Sequence, residues 1–548
     1  MTRRYAGALA VVAVALGCSK GAVPGAALES ISADGIKQDV AVLAADSLAG
    51  RAPSSVGEER TMAYLQSRFA ALGLAPGNGT SWYQDVPMVR STATPAELTA
   101  RAKGATARFR YADDFMASTK RVVDAVELKN SELVFVGYGI VAPEYQWNDY
   151  AGLDVKGKTV VVLVNDPGFA TQDTTLFRGR TMTYYGRWTY KFEEAARQGA
   201  EGVLIVHETE PAAYPWDVVR NSWSGPQFSL ASEDGNMSRC AIEGWVTLET
   251  ARALFRMGGQ EYDSLKPKAA ARGFTGVPLG VSVSLTLKNE IVRSTSRNFV
   301  AKLPGGAHAD EYVLYTGHWD HFGTDPNRQG DQIFNGAVDN ATGVAGLLEI
   351  AKAFKALSSP PDRSVLFVAL TGEEQGLLGS TYYATHPVVP LNKTAGVINM
   401  DAMNVLGKMK DITVVGLGYS ELDDFVTAAA QRQGRVVRPD PEPEKGYYFR
   451  SDHFPFAKAG VPSLDPGSGV DNVEHGEQWT RDREAEYREQ KYHQPSDEYD
   501  PNWDLSGMVE DLQLLFDVGY NLAMSRAFPN WRPGTEFKAA RDAMMGSR

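Results

Sequence analysis

Val313-Leu314-Tyr315-Thr316-Gly317-His318-Trp319-Asp320 is an apolar run that ends in a glycine and two side chains able to bind a metal. Side chains two apart on an extended backbone point the same way, so His318 and Asp320 leave the end of such a strand together. Further segments end alike. Asp339 lies in Gly336-Ala337-Val338-Asp339-Asn340-Ala341-Thr342-Gly343, and Glu373 and Glu374 follow an apolar run over residues 364–370. Asp401 closes Val397-Ile398-Asn399-Met400-Asp401, and His493 sits in Tyr492-His493-Gln494-Pro495-Ser496-Asp497. Open α/β sheets build their sites from side chains delivered at the carboxyl ends of strands. The pattern therefore predicts an α/β fold with a doubly wound sheet and a site along one edge of it.

The surrounding sequence agrees with that fold. Beyond residue 290 the chain alternates strand and helix patterns. Residues 312–316, 365–370, 395–400 and 460–464 read as strands, and 342–354, 422–431 and 508–522 as helices with one apolar face. Residues 466–504 are polar and charged, and read as a long functional loop. Upstream, Ile31, Ile36, Val40 and Leu43 suggest one helix, and Met62, Leu65, Phe69 and Leu72 a second that stops at Gly73. Residues 80–125 alternate like strands and loops. From 131 to 285 the texture is β-rich, with apolar runs at 133–141, 159–164 and 202–207 and a helix over 190–198. That block holds no cluster of ligand-type residues.

With 548 residues the chain is too long for one core, and 43% hydrophobic with 22% charged residues is ordinary for a globular protein. A formal net charge of -12 argues against nucleic acid as a partner. Arg3 and Arg4 precede an apolar run over residues 6–16, too short to span a bilayer and suited to an export signal. Its end, Ala15-Leu16-Gly17-Cys18-Ser19, resembles a bacterial lipoprotein box with Cys18 as the lipidated residue, although Ala15 stands where leucine is usual. The sequence thus predicts an exported protein, periplasmic or anchored to the outer membrane through a lipidated Cys18, or else secreted. Cys18 and Cys240 are the only cysteines, so the mature fold carries no intrachain disulfide.

Each polar candidate has a plain structural explanation when taken alone. Asp339 stands before a helix as an N-cap would, Glu373 and Glu374 fit a solvated loop, and His493 an exposed one. Together, two imidazoles and three carboxylates at strand and loop ends need a cation. The absence of thiolate suits Zn²⁺, with Mn²⁺ or Co²⁺ as alternatives. Five donors exceed one open tetrahedral site but fit two metals that share a carboxylate, which defines a two-metal hydrolase of an amide. One of the adjacent pair Glu373 and Glu374 then remains free as a general base.

Gly317-His318-Trp319-Asp320, Gly336–Gly343, Thr371-Gly372-Glu373-Glu374-Gln375-Gly376-Leu377-Leu378-Gly379-Ser380, Ile398-Asn399-Met400-Asp401, Arg450-Ser451-Asp452-His453-Phe454-Pro455-Phe456 and Tyr492–Asp497 together resemble the M28 family of zinc metallopeptidases, in that family's order. The resemblance implies a zinc-exopeptidase-like catalytic domain over residues 286–548, with its N-terminal part at 29–130 after a signal at 1–18. It also implies a protease-associated (PA) domain inserted at 131–285, supported by Val136-Gly137-Tyr138-Gly139-Ile140 and Lys156-Gly157-Lys158-Thr159-Val160-Val161-Val162. Carried over by motif, His318 and Asp401 hold one zinc, Glu374 and His493 the other, and Asp339 bridges them. Glu373 is the general base, Asp320 the carboxylate behind His318 that orients its ring, and Tyr492 the donor to a developing oxyanion, a role for which Tyr447 and Tyr448 compete. Arg450 and Asp452 match a substrate-side motif, while His321 and His453 are ligands by residue type that motif position disfavours.

The resemblance favours an aminopeptidase acting on peptides. Alternatives within it are a carboxypeptidase, for which Arg450 would be a basic contact, and a glutaminyl cyclase, which binds one zinc and lacks the insertion. A different class is a receptor-like binding protein, as in transferrin receptors, whose metal site has decayed. Every ligand position is filled here. Side-chain preference and oligomeric state are not encoded in these motifs.

Overall fold

The computed structural model describes residues 23–546. The expected export signal and Cys18 lie outside the described residues. Strand His308–His318 is the centre of the sheet, and all its residues from Glu311 to His318 are buried. A strand covered on both faces must be apolar along both, which explains the uninterrupted Val313-Leu314-Tyr315 run. It pairs in parallel with Arg363–Leu370 on one side, Gly317 opposite Ala369, and with Thr394–Asn399 on the other, Thr316 opposite Asn399. Beyond Thr394–Asn399 come Ser463–Gly467 in parallel, Asp411–Val415 antiparallel and Val436–Pro439 at the edge. Arg363–Leu370 pairs antiparallel with residues 299–303 of a long strand, Val277–Leu303.

Connectivity decides where a site can form. The chain runs from His308–His318 through helix Thr342–Lys355 to Arg363–Leu370. It then passes through helix Leu378–Thr385 to Thr394–Asn399 on the opposite side of the first strand. The winding therefore reverses at His308–His318, and the crevice beyond its carboxyl end is the topological switch point of a doubly wound sheet. Helices Ala33–Leu43, Val56–Ala71, Thr342–Lys355, Leu422–Arg432 and Ser506–Met524 pack on one face. Tyr383 from Leu378–Thr385 and Phe456 from His453–Lys458 cover the other. Both upstream helices start at serine caps: Ser32 Oγ accepts from Gly35 N at 3.2 Å, and Ser55 Oγ from Gly57 N at 3.0 Å. Gly519 in Ser506–Met524 sits against the Tyr315 ring, whose hydroxyl donates to Leu515 O at 2.8 Å.

Val277–Leu303 also leads out of this sheet. Residues 287–299 pair with Tyr83–Pro95, and earlier positions with Leu98–Ala102 and Ala125–Phe135. Ala125–Phe135, Thr159–Leu163, Gly202–His207 and Ile242–Thr247 form a second set of parallel strands, and Phe115–Ser118 joins it antiparallel. Strands from residues 98–118 thus pair within the β-rich body. The run at 133–141 stops as a strand at Phe135, because Gly137 and Gly139 turn the backbone at φ +61° and +63°. Tyr184 packs its ring 5.0 Å from Phe454, so this body is joined to the site-bearing domain by an aromatic contact.

The expected loop over 466–504 differs from expectation. It carries a helix, Gly476–Gln490, in which only Thr480 is buried. Its sequence has no apolar stripe to reveal it. Local ion pairs such as Arg483 with Glu486 at 2.7 Å and Arg481 with Glu477 at 3.6 Å replace a packed face.

Candidate metal centre

The three adjacent parallel strands deliver His318, the Glu373–Glu374 pair and Asp401 to the switch point. Asp339 enters from the turn Ala337–Ala341 that opens helix Thr342–Lys355. His493 enters from the segment that follows the charged helix, with φ +58°. His318 Nε2 stands 3.1 Å from Asp339 Oδ1 and 3.2 Å from Asp401 Oδ1. His493 Nε2 stands 3.3 Å from Asp339 Oδ2 and 3.1 Å from Glu374 Oε2. Asp339 therefore offers one oxygen to each histidine. Although burial works against its charge, contacts to His318 and His493 hold this carboxyl well below the usual carboxylate range.

The remaining polar groups hold these donors in place. Ser451 Oγ donates to Asp401 Oδ2 at 2.5 Å, and Asn399 Nδ2 donates to Ser451 Oγ at 2.8 Å. Asp497 accepts from Val338 N and Asp339 N, each at 3.1 Å, and so fixes the turn that carries Asp339. Asp497 lay within the quoted motif without a role, and only its reach back to the turn reveals one. Asp320 differs in detail from expectation. Its carbonyl oxygen, 3.1 Å from His318 Nδ1, is the nearer group, while its carboxylate is 3.9 Å away and accepts from Glu373 N at 3.2 Å. Burial pushes the Asp320 carboxyl up to about 7.

The other candidates separate cleanly. His321 is fully buried with Nδ1 2.6 Å from Glu374 Oε1, so it belongs to the cluster. His453 does not. It packs under Tyr448 at 4.6 Å between ring centroids, and burial brings its pKa down to about 3, which keeps it neutral. Tyr448 is buried in an aromatic core and Tyr447 lies under the Arg450 guanidinium, whereas Tyr492 stacks on the His493 ring at 3.7 Å. Asp452 takes a 2.5 Å hydrogen bond from Ser380 Oγ, and burial raises its carboxyl to about 7. Arg450 is exposed and donates to Lys445 O at 2.7 Å.

These donors fit divalent cations. Two ligands each about 2.0–2.1 Å from a tetrahedral zinc lie about 3.3 Å apart, and the four imidazole–carboxylate separations span 3.1–3.3 Å. Buried Asp320 Oδ2 and His321 Nε2 lack a hydrogen-bond partner among the described residues. Such an excess of buried acceptors is costly without a cation.

A doubly wound α/β domain with a carboxylate–imidazole cluster at its switch point is the class of protein these observations define. Residues 298–516 match peptidase family M28. Among curated proteins, a glutamate carboxypeptidase 2 homolog of Caenorhabditis elegans is 29% identical over 63% of this chain and 46% of its own length. Aminopeptidase NAALADL1 of Mus musculus is 30% identical over 32% of this chain and 22% of its own. The chain thus spans less than half the length of either relative. Among solved structures, an aminopeptidase from Aneurinibacillus sp. strain AM-1 superposes with a TM-score of 0.47 at 21% identity, covering 93% of this chain and 96% of that one.

Proposed function

We propose that the chain is a two-zinc exopeptidase, and specifically an aminopeptidase. The observation that carries this is Asp339, whose two oxygens face two different histidines. His318 and Asp401 would hold one cation, Glu374 and His493 the other, with Asp339 shared. Bound cations of this kind polarise a scissile carbonyl and make a water acidic at neutral pH. Glu373 would accept a proton from the attacking water and return it to the leaving amine. Tyr492, half exposed beside His493, would donate to oxygen on the substrate as charge develops there. The β-rich body is proposed as the PA insertion, and export with lipidation at Cys18 as the chain's route.

A carboxypeptidase is the second possibility, favoured by Arg187 of the β-rich body. Its buried Nε has no hydrogen-bond partner among the described residues, and burial, then the like charge of Arg450, lowers its pKa to about 9. Two guanidiniums close enough for their like charges to act on each other would accept a carboxylate. Mass spectrometry of two peptides, identical except that one is N-acetylated, decides between them on zinc-loaded protein. Stepwise loss of N-terminal residues from the free peptide alone is expected. Trimming of both from the carboxyl end would make the protein a carboxypeptidase, and no cleavage with any metal would point to a receptor-like role.

A further inference from the structure

Among the described residues Arg51 is the one fully buried cation that touches both loops carrying His318 and Asp339, and it lies outside the region matched to the family. It ends a short turn, Asp46–Arg51, whose last three residues all have left-handed backbone: Ala49 at φ 50°, Gly50 at 66° and Arg51 at 49°. Such a run is unfavourable for alanine and arginine, and persists only where surrounding contacts hold it. Here the contacts are those of the guanidinium. Nε donates to Trp319 O at 2.8 Å, Nη1 to Leu43 O at 2.5 Å and Asn335 O at 2.6 Å, and Nη2 to Gly336 O at 2.9 Å. The main chain adds a fifth link, His321 N to Arg51 O at 3.2 Å.

All four acceptors are carbonyls, and none of the ion pairs among the described residues involves Arg51. The charges that act on it are those of the site, Asp320, Asp497, Asp339 and Glu374. One planar fork thus grips the peptide between His318 and Asp320 together with the peptides that lead into the Asp339 turn. Those two loops set the His318–Asp339 separation of 3.1 Å.

We infer that Arg51 is a positioning residue for the metal centre: it fixes the spacing of His318 and Asp339 by clamping the loops on which they ride. This rests on the two-metal assignment above. The helices before the β-rich body thereby have a second task besides covering the sheet, because they deliver the clamp. A lysine cannot replace it, since a single ammonium cannot reach carbonyls spread around the edges of a guanidinium plane.

The test is the affinity of the full chain for Co²⁺ and Zn²⁺, read by competition with a chromophoric chelator, with the visible spectrum of the Co²⁺ form as a second readout. Arg51→Met is expected to weaken binding by about 10- to 100-fold, as loss of a ligand-orienting partner does, and to change the Co²⁺ spectrum. Arg51→Lys should weaken it by a smaller factor, and it decides the matter if Arg51→Met does not fold. Leu65→Ala, in the same helical layer and fully buried, should lower the melting temperature yet leave metal affinity within about twofold, so that general destabilisation is separated from positioning. Unchanged affinity and spectrum in a folded Arg51→Met or Arg51→Lys protein would overturn the inference. So would tighter binding by Arg51→Met, which is what loss of charge alone would produce. A wild-type chain that binds neither metal would overturn both the two-metal assignment and the role built on it.

Discussion

Glu373→Gln separates the two adjacent glutamates by function. The structure gives them different surroundings. Glu374 Oε2 stands 3.1 Å from His493 Nε2 and Oε1 2.6 Å from His321 Nδ1, whereas Glu373 is in no ion pair with a histidine among the described residues. Glu373 nevertheless has an oxygen within 4.8 Å of donor atoms on His318 and Glu374, so proximity alone would admit it as a ligand. Burial raises the Glu373 carboxyl well above its ordinary value, which favours a group that exchanges a proton over one that stays charged. Glutamine keeps the volume and the backbone hydrogen bond from Glu373 N to Asp320, and removes only the proton-accepting oxygen. Loss of a general base costs about 10²- to 10⁴-fold in turnover, or roughly 3–5 kcal/mol in the barrier. The expected result is therefore a kcat lower by more than about 10²-fold, with KM and the metal content of the purified protein unchanged. Elemental analysis and steady-state kinetics on one preparation measure all three. Loss of one metal from Glu373→Gln, with retention of both in Glu374→Gln, would refute the assignment and exchange the roles.

Three further outcomes follow from the packing and electrostatics. His453 has a folded pKa of about 3 against 6.5 when free, so the unfolded state binds the extra proton between these values. Stability from keeping this ring neutral is full above about pH 6.5 and is lost as pH falls towards 3, amounting to a few kcal/mol at most. His453→Gln should thus flatten the acid limb of a Tm–pH curve over that range, and an unchanged slope would count against it. Gly519→Ala places a Cβ 1.8 Å from the Tyr315 hydroxyl oxygen and should cost about 1–3 kcal/mol in denaturant titrations, with overpacking as the cause. Removing metal with a chelator should lower Tm by several degrees, restored by Zn²⁺, because a ligand bound only to the folded state stabilises it by mass action. Asp339→Ala should abolish that chelator-dependent difference.

What was legible in the sequence follows from locality. The strand at His308–His318 announces itself as a run apolar on both faces, and His318, the Glu373–Glu374 pair and Asp401 each follow a strand whose apolar run gives its type away. His318, Asp339, Glu374, Asp401 and His493 could therefore be named from their motifs, and the structure brings all five together. The helix Gly476–Gln490 was not legible, because ion pairs hold it and no apolar stripe marks it. Nor were Arg51, Asp497 and Ser451, whose partners lie 268, 159 and 50 residues away in the chain. A side chain that acts on a distant carbonyl or carboxylate leaves no periodicity. His321 and His453 show the limit most plainly, since by type the two histidines are equivalent. Local sequence determined which residues could bind a metal, because strand period and chemistry are properties of short segments. Only tertiary structure decided which of them converge and what clamps them, because the switch point is made by strands and helices that meet only when the whole sheet is wound.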